Sequence, residues 1–586
     1  MKILLAHLFL VVLSFGLASC STKDEDATAV NQNHYHHLMD NLHQNYSPCS
    51  EFYEYVCSKW PENHKENKDD YNSVGKMMYH EANVEIIEYL ENSDVSGMPD
   101  HVKLVKDFYM SCAQGKDYNP LEFMHWLERE ENMKWALLTP LEDKDVVFDW
   151  PSTMAIFRKY GFNDFLVELW SKAKESFEYI TESQMESFKE RIALPSGAMD
   201  FMDLWKTIEE FEQKFGEIQV AEPEEKKYKF KDLPYTWLRK YLSLLVKPQH
   251  VDEDKLLAIN NVVCMEDLDR LVKEYDDAFL CRYLELHFLM YLQQAQDLGK
   301  ANICMAMTAN ILDMQVEWIY EQLHPELKKE IPKIQQMFNN IIKNVNASLQ
   351  GAKGDVVPQE FFGKLETMKL YVGNFPLPNM TEFLNTLYKD AKLDANDFYG
   401  NYMQLLKLTA AMQMNNAKGH LEKFYQTPTY RIFTWTFRMQ YFDNINLLIL
   451  PLGLLRPPLY HLAYEDIFKA SGLGSIMAEG IFKPLYDLDD PANPADIDNL
   501  VDFISLYSPF EIYFSSLQPD EIKRYEGMFN TTSLQQLKQL FYINGIHYQC
   551  EEDYADEDRV SFNIINLPAF NDAFDCKLNK FLKKMT

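Results

Sequence analysis

The residues best equipped for chemistry in this chain are its histidines and a few carboxylates at helical spacing. Two imidazoles one helical turn apart, with a glutamate beside the first, would hold a catalytic zinc and take a proton from its bound water. None of the fifteen histidines has another four residues away. The nearest approach, His80-Glu81-Ala82-Asn83-Val84, ends in valine. A zinc helix of that kind is excluded in every register. His34, His36, His37 and His43 invite a metal reading, but no cysteine or carboxylate spacing accompanies them, so they read as a solvated tail. Glu479 and Lys483 stand four apart with the acid first, the favoured order for an intrahelical ion pair, worth about 0.2–0.5 kcal/mol when exposed. Arg559 lies in an acidic run, Glu551, Glu552, Asp553, Asp556, Glu557 and Asp558, whose charge it neutralises in the plainer reading.

The elements that must position these groups are mostly helices. The chain has 586 residues, only 20 glycines, many Leu, Met, Phe and Tyr, and few alternating segments. Its length suggests two or more domains. A formal charge of −32 argues against nucleic acid and anionic membrane surfaces as partners. Residues 1–20 follow the plan of a signal peptide: Lys2, an apolar run from Ile3 to Ala18, then small residues at Ala18 and Ser19. That run is shorter than the roughly 20 apolar residues a span needs, so no membrane span is expected after the leader is removed. Leu17-Ala18-Ser19-Cys20 also fits a bacterial lipoprotein site, as a minor reading. Losing Lys2 takes the mature charge to −33. Residues 21–47 read as a loose polar arm. Thr181-Glu182-Ser183-Gln184 and Ser533-Leu534-Gln535-Gln536 are helix starts, the second helix stopping at Gly545. Residues 221–227, 351–355 and 487–496 read as connectors or breaks. Nine cysteines less Cys20 leave eight, an even number suited to an oxidising compartment and open to 105 pairings. Asn346, Asn379 and Asn530 open glycosylation sequons, while Asn45 is weakened by Pro48.

Four stretches resemble the neprilysin-type zinc metallopeptidases. Cys49-Ser50-Glu51-Phe52-Tyr53-Glu54-Tyr55-Val56-Cys57-Ser58-Lys59-Trp60 matches that family's opening signature, and Asn566 to Cys576 its closing one. Leu450 to Tyr460, LPLGLLRPPLY, matches the apolar strand and Pro-Pro turn, and Ser471 to Ala478 the entry to the zinc helix. The next five residues should read His-Glu-x-x-His, and they are Glu479-Gly480-Ile481-Phe482-Lys483. The resemblance places the third ligand and an orienting aspartate on Asp498 and Asp502, only fifteen residues beyond Lys483, where relatives have several dozen. It places the substrate-gripping Asn-Ala-(Tyr/Phe) on Arg438-Met439-Gln440, an oxyanion histidine on Asp553, and a substrate-binding arginine on Arg559. No catalytic residue and no zinc are expected. The Lys483 ammonium, held by Glu479 and Asp498, is one candidate to stand where the zinc charge stood.

The resemblance further implies disulfides Cys49–Cys576, Cys57–Cys550 and Cys112–Cys304; Cys264 and Cys281 remain, candidates to pair with each other but with that pairing left open. It implies a mainly α fold, two helical lobes enclosing a central cavity, with a small sheet beside the degenerate zinc-site helix. Residues 48–420 would form the N-terminal helical region and residues 421–586 the degenerate peptidase region. The expected protein is secreted and non-catalytic, binding peptides or modulating an active neprilysin relative. A surface-mediated partner of an active peptidase is the alternative, and residual metalloendopeptidase activity the third reading.

Overall fold

In the computed structural model the described residues are 26–65, 71–115, 118–162, 179–218, 226–245, 253–254, 256–259, 262–292, 298–350, 357–374, 377–414, 435–436, 438–487, 494–529, 533–551 and 557–576. The leader and Asn530 lie outside them. Helices dominate. Five short strands are described: β1 (Lys226–Lys229), β2 (Leu256–Ile259), β3 (Lys369–Val372), β4 (Gln440–Phe442) and β5 (Leu447–Leu450). The chain forms two compact units, each drawn from separate stretches of sequence. One takes in the described residues of Met1–Val84, Glu317–Pro376 and Thr434–Thr586, the other those of Glu85–Val316 and Leu377–Phe433.

The first unit carries a three-stranded sheet in the order β3-β5-β4, with β3 parallel and β4 antiparallel to β5. Leu447-Leu448-Ile449-Leu450 has no alternation because every residue of β5 is buried, as a central strand requires. Past β5 the Leu452 N–H donates to buried Glu317 at 2.8 Å, and Arg456 pairs with Glu81 at 3.1 Å, which fixes the turn. Two helices then follow in series, Asp466–Ser471 and Leu473–Ile481. Gly472 parts them because a Cβ there would come within 2.9 Å of the Leu459 carbonyl oxygen. The second of these, the site helix, packs on the long helices Pro494–Ser516 and Ile331–Leu349.

The ends of this unit are joined. Cys49–Cys576 and Cys57–Cys550 are bridged, as the resemblance implied. Phe52 packs on Phe570 and Phe574, and the Tyr53 N–H donates to the Ser561 hydroxyl at 2.9 Å. Residues 26–47 are not a loose arm. Asp26 caps a helix, Ala27–Asp40, by accepting from the Thr28 N–H, and Asn31, His34 and Leu38 are buried. A low density of apolar residues disguised it, since polar Asn31 and His34 do the docking. Ser533 caps its helix as read, but the helix runs on to His547. Gly545 sits inside it because a Cβ would meet Leu506 at 2.4 Å.

The second unit is built on helix Asp277–Leu292, apolar on all sides and therefore central. Its buried Glu285 accepts the N–H groups of Ala136 and Leu137 at 2.8 Å each. Cys112–Cys304 ties helix Asp100–Ala113 to helix Ala301–Ile311. Cys281 is a buried thiol 3.4 Å from the Thr153 hydroxyl and does not bridge to Cys264, so that candidate pairing is not made. Helix Glu182–Arg191 opens with the full Thr181–Gln184 capping box. Lys226 and Lys227, read as connector, instead begin β1, which pairs antiparallel with β2.

Candidate functional site

The site helix brings the rewritten positions to the sheet. Gly480 is buried, and a Cβ there would lie 3.2 Å from Leu448 Cδ2 of β5 and 3.6 Å from Met439 Cε. The position where relatives carry the general base therefore faces the Leu448 and Met439 side chains at close range. The helix ends at Ile481, with Lys483 opening a tighter 3-10 turn, Lys483–Asp487. Pro484 accounts for this, since the residue before a proline is steered away from the α region. Phe482, also buried, stacks on Phe361 with centroids 5.4 Å apart.

Lys483 Nζ lies 3.3 Å from Glu479 Oε1, with side chains 43% and 39% exposed. That is an ordinary solvated pair, too wet for the ammonium to replace a buried zinc charge. Lys483→Met is expected to change unfolding free energy by less than about 0.5 kcal/mol in chemical denaturation. A loss of about 2 kcal/mol or more would restore the buried-cation reading.

Asp502 and Asn499 both accept from the amide of buried Asn563, at 2.9 Å each. The expected orienting aspartate thus pins helix Glu557–Ile565 to helix Pro494–Ser516. Asp498 is half-buried on the same long helix. Asp553 lies outside the described residues. Arg559 falls on helix Glu557–Ile565, but its side chain also lies outside them. Asn379 is exposed at a helix start, and Asn346 lies in helix Ile331–Leu349, accepting from Gln350 at 2.6 Å.

Two groups escaped the sequence reading. Tyr548 has its hydroxyl pushed above the usual range by burial and by the charge of Glu479, with Arg438 opposing. Asn563 takes its role from partners 61 and 64 residues away. No local pattern marks either one.

A zinc ion needs neutral imidazoles, thiolates or carboxylates converging on one point. Here one ligand position is a carboxylate already paired with an ammonium, the next is that ammonium, only Asp498 is left as an oxygen donor, and the orienting Asp502 is held by Asn563. Among the described residues no group of three or more His, Cys, Asp or Glu is placed to hold a metal. These residues do not fit the ion.

Residues 48–198 match the family model described as Peptidase family M13. The chain has the fold of the neprilysin-type M13 peptidases. It superposes on the structure described as the Haemonchus galactose containing glycoprotein complex with TM-score 0.63 at 13% identity, covering 94% of this chain and 97% of that one. The Mycobacterium tuberculosis zinc metalloprotease Zmp1, solved with an inhibitor, gives 0.58 at 14% identity, covering 92% and 96%. PepO from Lactobacillus rhamnosis gives 0.53 at 12%, covering 91% and 97%. No curated protein matches the chain by sequence. Identities this low establish the M13 fold while leaving the site to be judged on its own residues.

Proposed function

We propose that this is a secreted, non-catalytic relative of the M13 peptidases that captures extended peptides at the β4 edge of its sheet. The observation that carries the reading is the asymmetry of the site. The sheet edge at Arg438-Met439-Gln440 persists, with β4 as outer strand, while the helix beside it has exchanged zinc ligands for an ion pair and a packed glycine. A sheet edge binds peptide through main-chain groups, which needs neither a metal nor particular side chains. Exposed Arg438 adds a cation beside that edge. Three disulfides suit an oxidising compartment, and no helix among the described residues is long and apolar enough to cross a membrane.

A second reading, a non-catalytic subunit held to an active peptidase by its outer surface, is favoured by the Haemonchus structure, whose description is of a glycoprotein complex. The two separate in one experiment. A fluorescent peptide library is screened by anisotropy against the wild type and Gln440→Pro, a change an edge strand tolerates. Capture requires saturable binding weakened at least about tenfold in the variant, the loss of about 1.4 kcal/mol expected from one or two main-chain hydrogen bonds. No peptide binding, with co-purification of an active M13 peptidase by both proteins, supports the subunit instead.

A further inference from the structure

We propose that the N-terminal helix Ala27–Asp40 is an acid-released strap, held to the first unit only while the His34 and His547 rings under it are uncharged. Its docking is polar and aromatic. The Asn31 amide donates to the Ala463 carbonyl and accepts from the Glu465 N–H, both at 2.7 Å, and Gln32 donates to the Met528 carbonyl at 3.0 Å. Tyr35 stacks on Phe529 with centroids 5.2 Å apart. His34, 5% exposed, lies stacked on Tyr464 at 4.4 Å with its edge to Phe468.

The protonation states follow from the partners. The Asn544 amide donates to the Phe468 carbonyl and the Ser471 hydroxyl, so its Oδ1 is an acceptor and His34 Nε2 carries the proton that it receives at 2.7 Å. A second proton on His34 would have to go on Nδ1, charging a ring that lies between aromatic faces. His547, 2% exposed, stands one turn along the same helix with its Nε2 buried and no hydrogen-bond partner. His37, on the exposed side of the strap, covers it edge-on at 5.1 Å.

The charges that face these rings do not compensate them. Those acting most on His547 are three further histidines, His37, His34 and His64, the last stacked on Trp60. Asp40 acts on His37, at the rim, while Lys59 donates to the Asp40 carbonyl. From the opposite side, Glu465 is paired with Arg524 at 2.6 Å, and Lys469 donates to the Leu462 carbonyl. Asp466 stands in the first turn of helix Asp466–Ser471. Burial accordingly pulls His34 down to about 4 and His547 well below its usual range.

Both rings are neutral when docked; release returns His34 to about 6.5 and uncovers one side of His547, so the released state binds more protons at lower pH. Docking is at full strength above about pH 6.5 and is lost as pH falls toward 4, His34's docked value. At pH 5 His34 alone shifts the docking equilibrium toward release by about thirtyfold, and His547 acts in the same direction. Release would uncover Tyr464, Phe468 and Phe529.

Hydrogen exchange of the full-length protein tests this, with amide protection across residues 27–40 corrected for intrinsic rates between pH 7.5 and 5. Protection there is expected to fall by at least about thirtyfold while that of helix Ile331–Leu349 stays constant. In His34→Gln, which keeps a donor for Asn544, the fall should shrink by about thirtyfold relative to the wild type. His547→Phe is the second variant should the first not fold. Constant protection of the strap to pH 5, an equal fall in both helices, or an unchanged fall in the folded variant would overturn the proposal.

Discussion

Gly480→Glu, which puts a carboxylate where relatives carry the general base, is expected to destabilise the first unit by about 3 kcal/mol or more. Two terms add. The new Cβ meets Leu448 Cδ2 at 3.2 Å, and Leu448, fully buried in the central strand, must shift to admit it. Beyond Cβ the carboxylate enters hydrocarbon with no donor at hand, so it either stays charged at high cost or takes up a proton. Gly480→Ala carries only the first term and should lose about 1 kcal/mol. Thermal melts of the two variants measure the difference. The triple change Glu479→His, Gly480→Glu and Lys483→His should therefore unfold more readily without acquiring zinc. Stoichiometric zinc in a triple variant of wild-type stability would show that the packing around Gly480 yields more easily than its geometry indicates.

Replacing Cys57 and Cys550 by serine should cost the first unit about 2–5 kcal/mol. Because Cys49–Cys576 already joins the two ends, this bridge closes a further loop of only about 34 residues, 8 on one side and 26 on the other, for which chain entropy gives roughly 4 kcal/mol. It also holds a local lattice. The Tyr53 hydroxyl donates to the Gln549 carbonyl at 3.1 Å, the Val74 N–H to the Cys550 carbonyl at 3.0 Å, and Ser73 bridges to Glu551. Cys112–Cys304 has a sequence separation of 192 and lies in the other unit, so its removal should move a different calorimetric transition, by a comparable amount. An unchanged first-unit transition after loss of Cys57–Cys550 would mean that those hydrogen bonds and the second bridge suffice.

Much of this was legible from residue type alone. The missing His-Glu-x-x-His needed no alignment, because no pair of histidines has the spacing. The ends of the first unit were legible through Cys49, Cys57 and Trp60 at one terminus and Asn566 to Cys576 at the other. What escaped was tertiary. The N-terminal helix looked like a tail because its buried residues, Asn31 and His34, are polar, and only their distant partners Ala463, Glu465 and Asn544 make burial affordable. Asp502 looked like a site residue, yet Asn563 holds it in a structural bond. Lys483 looked like a substitute for zinc, and its exposure makes it a surface ion pair instead.

Zinc content per mole, measured on the purified protein alongside a quenched-peptide cleavage assay, tests the loss of zinc chemistry most directly. Zinc far below one per chain, with no turnover that a chelator abolishes, is the expected result. One zinc per chain with chelator-sensitive cleavage would contradict it and return the protein to the active peptidases.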